Sequence, residues 1–439
     1  MSKFCRYFFI LAMLVFFLPM SISAQHFDQV MSSEALRPFW SIYGIGASSF
    51  NLLNNSQLET DIGSTQSNPA FLTNVKRPKG SFSGISITPK NLTTLADGGK
   101  DYSASTTKYN VSYIGFAYPF PVYQGSFVMA ASYSPAAYYY SFSYTKGTTG
   151  AAYYDEDGNA HIVDTDLEYD INESGTLNVF RFAGATEFMK NFNLGWSFNF
   201  YSGQRNYEST EIGVDVNDEL DFNSIIYQEN IKPSYSGFNM DFGICYQSEN
   251  YKIGLRLSTP LRLKVHEVSE LTEDYDTVDS IFLNPYDFKY KTRYPLELAP
   301  NFAIKVGKIS LGMDFIFHNW QKIEVDLLDE MREVNRDLYW NLRNTTDIGA
   351  VLTIPFGNAF STRLAYRLVP SPYAEYEPDE EYYHVMGAGI ETILKESIII
   401  GCSFQHGFGN LSNFYRYFET TTTQAYTENR CSISLAVLF

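Results

Sequence analysis

The stretch from Tyr251 to Val265 reads YKIGLRLSTPLRLKV, and its residues alternate between two chemical classes. The odd-numbered positions hold mainly aromatic and aliphatic residues, whereas the even-numbered ones hold lysine, arginine, glycine, serine and proline. Successive side chains of a β-strand point to opposite faces, so one face of this strand suits lipid and the other suits water. Pro260 has no N–H group and predicts a bulge or the end of regular pairing.

The same alternation recurs from about Gly80 to the end of the chain, for example at Leu194–Tyr201 and Ile309–Trp320. The last alternating segment ends on the aromatic Phe439, which is typical of bacterial outer-membrane barrels. About fourteen such strands are expected, an even number that suits a closed transmembrane antiparallel β-barrel. The expected strands lie near residues 80–91, 108–119, 125–145, 176–189, 192–203, 234–248, 251–264, 290–306, 308–321, 343–354, 357–368, 382–394, 396–408 and 424–439.

The links between these segments alternate in length. Short links such as Lys190-Asn191 and Gly307-Lys308 alternate with long polar ones, which carry much of the acidic character of the chain. Long external loops and short periplasmic turns are the expected asymmetry of an outer-membrane barrel. The acidic runs Asp164–Asp170 and Glu267–Asp279 are therefore predicted to be solvated loops. Divalent-ion binding is the alternative, although Asp155–Asn159 lacks the spacing of a calcium loop.

The composition agrees with a barrel in lipid. Aromatic residues make up 17% of the 439 residues and charged residues only 18%, against about 25% charged in soluble domains. The net charge of −17 excludes an electrostatic case for nucleic-acid binding. Residues 1–24 have the pattern of a cleaved signal peptide, because Lys3 and Arg6 precede a short apolar run and Ala24 offers a small residue at the cut.

The segment from Ser41 to Val75 does not alternate and ends in Asn68-Pro69-Ala70. Non-strand backbone at membrane depth is tolerated inside protein or a wet cavity, so we expect residues 25–79 to form a plug in the lumen of a barrel at 80–439. Asn68, Pro69, Ala70 and Phe71 are the predicted gate. A disordered periplasmic leader is the alternative.

Four regions of the sequence resemble the FadL/OmpP1/TodX group of outer-membrane transporters. They are the small-residue segment with its closing NPA motif, a strand ending in Thr-Pro, a hairpin with an inner Asp and a following Trp, and an Arg-rich strand followed by Ser-Pro. In this chain they are Tyr43–Ala47 with Asn68–Ala70, Ile253–Pro260, Tyr294–Pro300 with Leu311–Asp314 and Asn319-Trp320, and Arg363–Arg367 with Ser371-Pro372.

This resemblance implies a fourteen-stranded barrel plugged by its N-terminal segment, in which apolar substrates bind and cross the bacterial outer membrane without energy coupling. The inner-face cations expected to contact an anionic head group are Arg256, Arg262, Arg363 and Arg367. Pairing with lumen acids such as Asp314, or with Glu59 and Asp61 of the plug, is the alternative for these arginines.

No enzyme, metal site or cofactor is expected from the sequence, with an enzyme barrel, in which a Ser–His pair such as Ser403 and His318 meets across strands, as the alternative. The six histidines have no metal-ligand spacing, and no G-x-S-x-G motif occurs. Cys245, Cys402 and Cys431 fit apolar strand positions, with a Cys402–Cys431 disulfide as an open alternative.

The function expected from the sequence is a passive channel for hydrophobic or amphipathic small molecules such as long-chain fatty acids or aromatic hydrocarbons. The expected partners are outer-membrane lipid, lipopolysaccharide and the hydrophobic ligand, with the barrel a monomer. A non-transporting barrel that serves as a scaffold or as a shuttle component of a protein secretion system is the alternative.

Overall fold

A computed structural model describes residues 62–95, 100–154, 160–218, 223–275, 278–326, 332–357, 359–374, 382–415 and 420–439. Three sequence predictions lie outside the described residues: the signal peptide at 1–24, residues 25–61 of the plug, and the acidic stretch Asp155–Asn159.

The described chain is built almost wholly from β-strands. These are β1 (Lys79–Leu95), β2 (Tyr102–Ser105), β3 (Lys108–Phe120), β4 (Phe127–Tyr138), β5 (Ser141–Tyr154), β6 (Ala160–Met189), β7 (Phe192–Asp215), β8 (Ser224–Gln247), β9 (Tyr251–Ser258), β10 (Leu261–Tyr275), β11 (Val278–Tyr294), β12 (Glu297–Val306), β13 (Ile309–His318), β14 (Glu324–Asp326), β15 (Thr345–Phe356), β16 (Phe360–Pro370), β17 (Tyr382–Leu394), β18 (Ile398–Tyr415) and β19 (Thr420–Leu438). The helical segments are the α-helices Ser64–Ser67 and Arg332–Asn341 and the 3-10 helices Pro69–Asn74 and Trp320–Lys322. None of the helices in the described residues has the length and hydropathy needed to cross a membrane.

The strands form one antiparallel sheet that closes into a barrel. β1 pairs with β19, with Lys79 opposite Leu438, and β1 pairs with β3 along its other edge. Five barrel strands each consist of two segments (β2–β3, β4–β5, β9–β10, β11–β12 and β13–β14), so the closed barrel has fourteen strands. The predicted transmembrane barrel of about fourteen strands is confirmed.

Several strands continue beyond the length predicted from the sequence. β6 begins at Ala160, so Asp164–Asp170 lies in a strand, and β10 extends to Tyr275. The prediction that these acidic runs are loops is therefore wrong. The residues of Asp164–Asp170 still alternate, because Thr165, Leu167 and Tyr169 are buried, but the opposite face carries acids in place of the apolar residues that mark the membrane-facing strands. Pairing of the backbone continues regardless, as between β6 and β7 up to Thr165 and Asp215.

The lower half of the barrel, at the end that carries the short turns, presents an apolar belt to the outside. Its exposed residues come from strands all around the barrel and include Phe82, Phe116, Leu194, Ile253, Leu311, Leu364, Phe404 and Leu435. Cys402 and Cys431 also lie on the exposed face, and both are free thiols. Because Cys402 pairs with Ile433, and not with Cys431, the disulfide alternative is not realised.

A bulge at Thr259–Pro260 divides the stretch Tyr251–Val265 into two parts. The odd-numbered side chains point outward before the bulge and into the barrel after it. Asp241 is opposite Ser258, but Phe238 is opposite Arg262, so one extra residue lies on the β9–β10 side. A one-residue slip moves every later side chain to the other face. Leu261, Leu263 and Val265 are consequently buried, at 4%, 0% and 4% exposure.

The two largest apolar clusters among the described residues lie toward opposite ends of the barrel interior. The cluster near the short turns joins Ile62, Leu72 and Val75 to Tyr113, Ala117, Val128, Ala130, Ala183 and Ala185 of the wall. The cluster toward the long loops contains Leu261, Leu263 and Val265, together with Leu338 and Leu342 of the loop that carries the helix Arg332–Asn341. The candidate site lies between these clusters.

Candidate functional site

Inside the barrel, the N-terminal segment makes a tight turn at Asn68. Asn68 Oδ1 accepts a hydrogen bond of 3.0 Å from the backbone N–H of Ala70, and Asn68 Nδ2 donates 3.3 Å to the carbonyl of Ile244 on β8. Pro69 suits the first position of the 3-10 helix, where no N–H donor is needed. The side chain of Asn68 therefore shapes the turn and attaches it to the barrel wall.

Three glycines make room for this turn on the wall. Gly195, Gly243 and Gly254 lie on the neighbouring strands β7, β8 and β9, and a Cβ atom at any of them would overlap atoms of Asn68, Pro69 or Ala70. Glycine allows this close backbone approach because it has no side chain. We call Gly195, Gly243 and Gly254 the glycine row. Sequence analysis missed it, although all three are inward-facing positions of consecutive strands.

The predicted gate residues Asn68, Pro69, Ala70 and Phe71 all lie inside the barrel. Phe71 is 1% exposed and packs with Ala70 and Cys245. The 3-10 helix that follows contacts β4, β6, β7 and β8. This part of the predicted plug is packed against one side of the lumen. Whether it acts as a gate stays a prediction.

A cavity of about 250 Å³ lies on the long-loop side of this plug segment. Gln66 of the plug, Tyr201, Trp320 and Pro370 are among the residues that line it, so the wall mixes aromatic, aliphatic and polar groups. The plug reaches the cavity through Gln66, whose Nε2 donates a hydrogen bond of 2.9 Å to Ser134 Oγ. Arg181, which also lines the cavity, donates 3.1 Å to the same hydroxyl.

Arg256 lies on the cavity wall and is held by acidic neighbours. One of its Nη atoms hydrogen-bonds to Glu297 on β12, and the other donates 3.1 Å to Ser258 Oγ and lies 4.0 Å from Asp241. Asp241 in turn accepts hydrogen bonds from Ser197 at 3.0 Å and from Ser258. The guanidinium is therefore part of a buried polar network and not an isolated cation.

The charge network continues around the wall through His318. Its Nδ1 lies 3.4 Å from Glu297, its Nε2 lies 3.5 Å from Asp347 of β15, and its ring stacks on Trp320 with centroids 4.6 Å apart. Arg367 of β16 lies 3.7 Å from Asp347 and hydrogen-bonds to Asp314. Acidic and basic side chains thus alternate across adjacent strands.

The four arginines predicted to contact an anionic ligand have different environments. Arg256 and Arg367 line the cavity, and both pair with carboxylates, as the alternative reading expected. Arg363 is buried at 6% exposure but does not line the cavity. Arg262 is exposed on the outer surface, because the bulge at Pro260 turns Leu261 into the cavity and Arg262 away from it. The prediction for Arg262 is wrong.

Comparison with known sequences gives no relative. No protein-family model matches the chain, and no curated protein does. The family resemblance in the sequence is therefore tested by the fold alone.

Comparison of structures is informative. The chain has the FadL-type barrel fold. The crystal structure of the Pseudomonas putida toluene transporter TodX has a TM-score of 0.57 at 12% identity, covering 91% of this chain and 100% of that one. A Pseudomonas aeruginosa FadL homologue has 0.57 at 10% identity, covering 90% and 98%. The CymD monoaromatic hydrocarbon channel has 0.53 at 12% identity, covering 90% and 98%.

Proposed function

We propose that this protein is a passive channel of the bacterial outer membrane for hydrophobic or amphipathic small molecules, a class that includes long-chain fatty acids and aromatic hydrocarbons. The observation that carries the proposal is the cavity of about 250 Å³ inside the barrel, between the plug turn at Asn68 and the apolar cluster around Leu263. A concave site that combines aromatic and aliphatic lining with placed polar groups is the usual form of a small-molecule site.

Two further observations support this proposal. The apolar belt on the lower half of the barrel suits a membrane environment, so we propose lipid and lipopolysaccharide as its surroundings and a monomer as its state. The similar structures named as a toluene transporter and a monoaromatic hydrocarbon channel are transport proteins and not enzymes. We accordingly propose a transport role without catalysis.

The test is uptake by cells that differ only in this protein. Cells carrying the protein are expected to take up labelled fatty acid or toluene faster than cells that lack it. Val369→Trp fills the cavity with a bulky ring and is expected to abolish the difference. The matched control Leu364→Trp places the same ring on the exposed outer face and is expected to leave uptake unchanged.

Equal uptake with and without the protein overturns the channel proposal. Recovery of a stoichiometric protein partner in that case favours the scaffold or secretion-shuttle alternative. Hydrolysis or acyl transfer of the added lipid by the purified barrel, instead of its passage, contradicts the proposal that the protein is not an enzyme.

A further inference from the structure

Glu297 is the most exposed side chain of the charge network on the cavity wall, at 26%, against 16% for His318 and 12% for Arg256. The side chain of Glu297 is 26% exposed and that of Asp347 is 12% exposed, whereas the side chain of Arg367 is 2% exposed. All three residues line the cavity. A molecule entering this space therefore meets carboxylate oxygen before it meets the Arg367 guanidinium.

The guanidinium groups already have anionic partners. Arg367 lies between Asp314 and Asp347, and Arg256 lies between Glu297 and Asp241. A carboxylate ligand would have to displace one of these protein carboxylates and leave it buried without its partner, which is costly. A ligand with a cationic head keeps both arginine pairs and adds donors to the exposed oxygens of Glu297 and Asp347.

Aromatic rings stand beside these oxygens. Trp320 lines the cavity and stacks on His318, the residue that lies between Glu297 and Asp347. Tyr201 and Tyr294 line the same space. Aromatic faces attract ammonium groups and also accept apolar chains, so carboxylates next to aromatic rings form a wall suited to an amine with a hydrocarbon tail.

Arg181 is a cationic residue of the cavity wall that would favour an anionic ligand. It lines the cavity, but one of its Nη atoms already donates to Ser134 Oγ at 3.1 Å. Among the residues that line the cavity, the acids Asp241, Glu297, Asp347 and Glu428 outnumber the arginines Arg181, Arg256 and Arg367, so the charge of this lining is at most zero even with His318 protonated.

We propose that the cavity binds amphiphiles with a protonated amine head, held by Glu297 and Asp347 and flanked by Trp320, in preference to carboxylates. This inference rests on the proposed function and names the substrate class of the same site. It differs from the sequence prediction, in which the arginines contact an anionic head group.

The test compares three ligands with the same tail. Decylamine, decanol and decanoate are titrated calorimetrically into the full-length protein in nanodiscs of zwitterionic lipid, and the heat of partition into empty nanodiscs is subtracted. Decylamine is expected to bind about tenfold or more tightly than decanol, the difference that a charge-assisted hydrogen bond provides. Decanoate is expected to bind more weakly than decanol.

Neutral variants locate the preference. Glu297→Gln and Asp347→Asn keep the shape of the wall and are each expected to reduce decylamine affinity about tenfold, with little change for decanol. Glu324→Gln is the matched control, because Glu324 is exposed on β14 and pairs with Arg293 away from the cavity. If a variant does not fold, the comparison of the three ligands on the unmodified protein still decides the question.

The outcomes separate this inference from the function on which it depends. Tighter or equal binding of decanoate or decanol overturns the amine preference while leaving a ligand-binding channel in place. Binding of none of the three above the empty-nanodisc background overturns the proposed function as well. An amine preference that survives both neutral variants overturns the assignment to Glu297 and Asp347.

Discussion

The glycine row is the residue-scale feature on which the plug depends. Gly195 has the backbone of Pro69 and Ala70 directly against it, so even a methyl group must displace the turn. Overpacking of this kind typically costs about 1–3 kcal/mol. We therefore expect Gly195→Ala to loosen the plug, with larger and noisier single-channel conductance in planar bilayers.

Gly84→Ala is the matched control for this prediction. Gly84 lies on β1, and the nearest atom to an added Cβ is 3.9 Å away, at ordinary contact distance. Its conductance is expected to equal that of the unmodified protein. A conductance increase of the same size in both variants contradicts a specific role of the glycine row.

Asn68 gives a second residue-scale prediction. Asn68→Ala removes the bond to Ala70 N–H and the bond to the Ile244 carbonyl. Loss of a helix cap costs about 1 kcal/mol, so amide exchange in Pro69–Asn74 is expected to accelerate roughly fivefold. Hydrogen exchange by mass spectrometry measures this. Asn68→Asp keeps the acceptor and loses the donor, and is expected to have an intermediate effect.

Glu211 makes the long-loop end of the wall sensitive to pH. It lies on β7, well beyond the part of that strand needed to cross a bilayer, and is 3% exposed. Burial, and to a smaller extent the Glu229 carboxylate, raises the pKa of the Glu211 carboxyl to about 8. Its ordinary value is 4.5, so the folded wall binds a proton that the unfolded chain releases between these values. The local stability is full below the ordinary value and falls as the pH rises to about 8.

The measurement is hydrogen-exchange protection of β7 and β8 at about pH 6 and about pH 9, corrected for the intrinsic exchange rate. Protection is expected to fall at the higher pH, and Glu211→Gln is expected to remove most of the fall. Glu208→Gln, on the same strand but exposed, is the control and keeps it. A pH dependence that Glu211→Gln leaves unchanged rules out this carboxyl as its origin.

At the scale of elements, the helix Arg332–Asn341 packs into the apolar cluster on the long-loop side of the cavity. Leu342, the residue after the helix, is 0% exposed within the apolar cluster, and the neighbouring Arg343 N–H donates 2.8 Å to the Pro372 carbonyl. Val325 and Asn335 exchange two further hydrogen bonds, at 2.7 and 2.9 Å. The helix is thus attached to β14 and to the segment after β16.

Leu342→Ala tests this attachment. Loss of a buried leucine side chain typically costs about 2–5 kcal/mol, so exchange protection of residues 332–342 is expected to drop while that of β15 and β16 is kept. Tyr339→Ala removes a larger side chain from the same helix, but one that is 44% exposed, and is expected to have little effect. Equal loss of protection in both variants contradicts the role of the apolar cluster.

The strand segments that face lipid were predictable from the sequence. The continuations of the same strands toward the long loops were not. In Tyr251–Ser258 the alternation is enforced because one face meets hydrocarbon and the other the lumen. Asp164–Asp170 also alternates, with Leu167 and Tyr169 buried, but its other face is acidic and not apolar, so the run resembles a solvated loop. Pro260 indicated an irregularity in the sequence. Which face the side chains after Pro260 take depends on the pairing register with β8, and the sequence of one strand does not give that register.

The same contrast holds for the site. Asn68–Phe71 stood out because it interrupts the pattern, and it does lie inside the barrel. The pairing of Arg256 with Glu297 joins residues on separate strands, and the exposed fraction of each side chain depends on packing from several elements. Charge at an inward position therefore predicted a polar lumen but not which sign of charge faces the cavity.

At the scale of the whole molecule, the barrel is wide enough that its interior must be filled, and two bodies fill it. The plug segment around Leu72 occupies the short-turn end, and the apolar cluster around Leu263 and Leu338 occupies the long-loop end. The cavity is the space left between them. An amphiphile can pass such fillings by displacing flexible side chains, whereas a hydrated polar solute needs a continuous wet path.

Removal of the plug should therefore convert a selective channel into a leaky one. A chain that lacks residues 25–75 but keeps residues 1–24 is expected to form the barrel, because β1 begins at Lys79 and closes against β19 without plug residues. Such cells are expected to become permeable to small polar solutes, measured by swelling in an oligosaccharide gradient or by sensitivity to polar antibiotics. Val369→Trp in the same deletion narrows the cavity and is expected to reduce the leak. Unchanged permeability after the deletion would place the seal in the apolar cluster at the long-loop end, and Leu342→Ala would then open it.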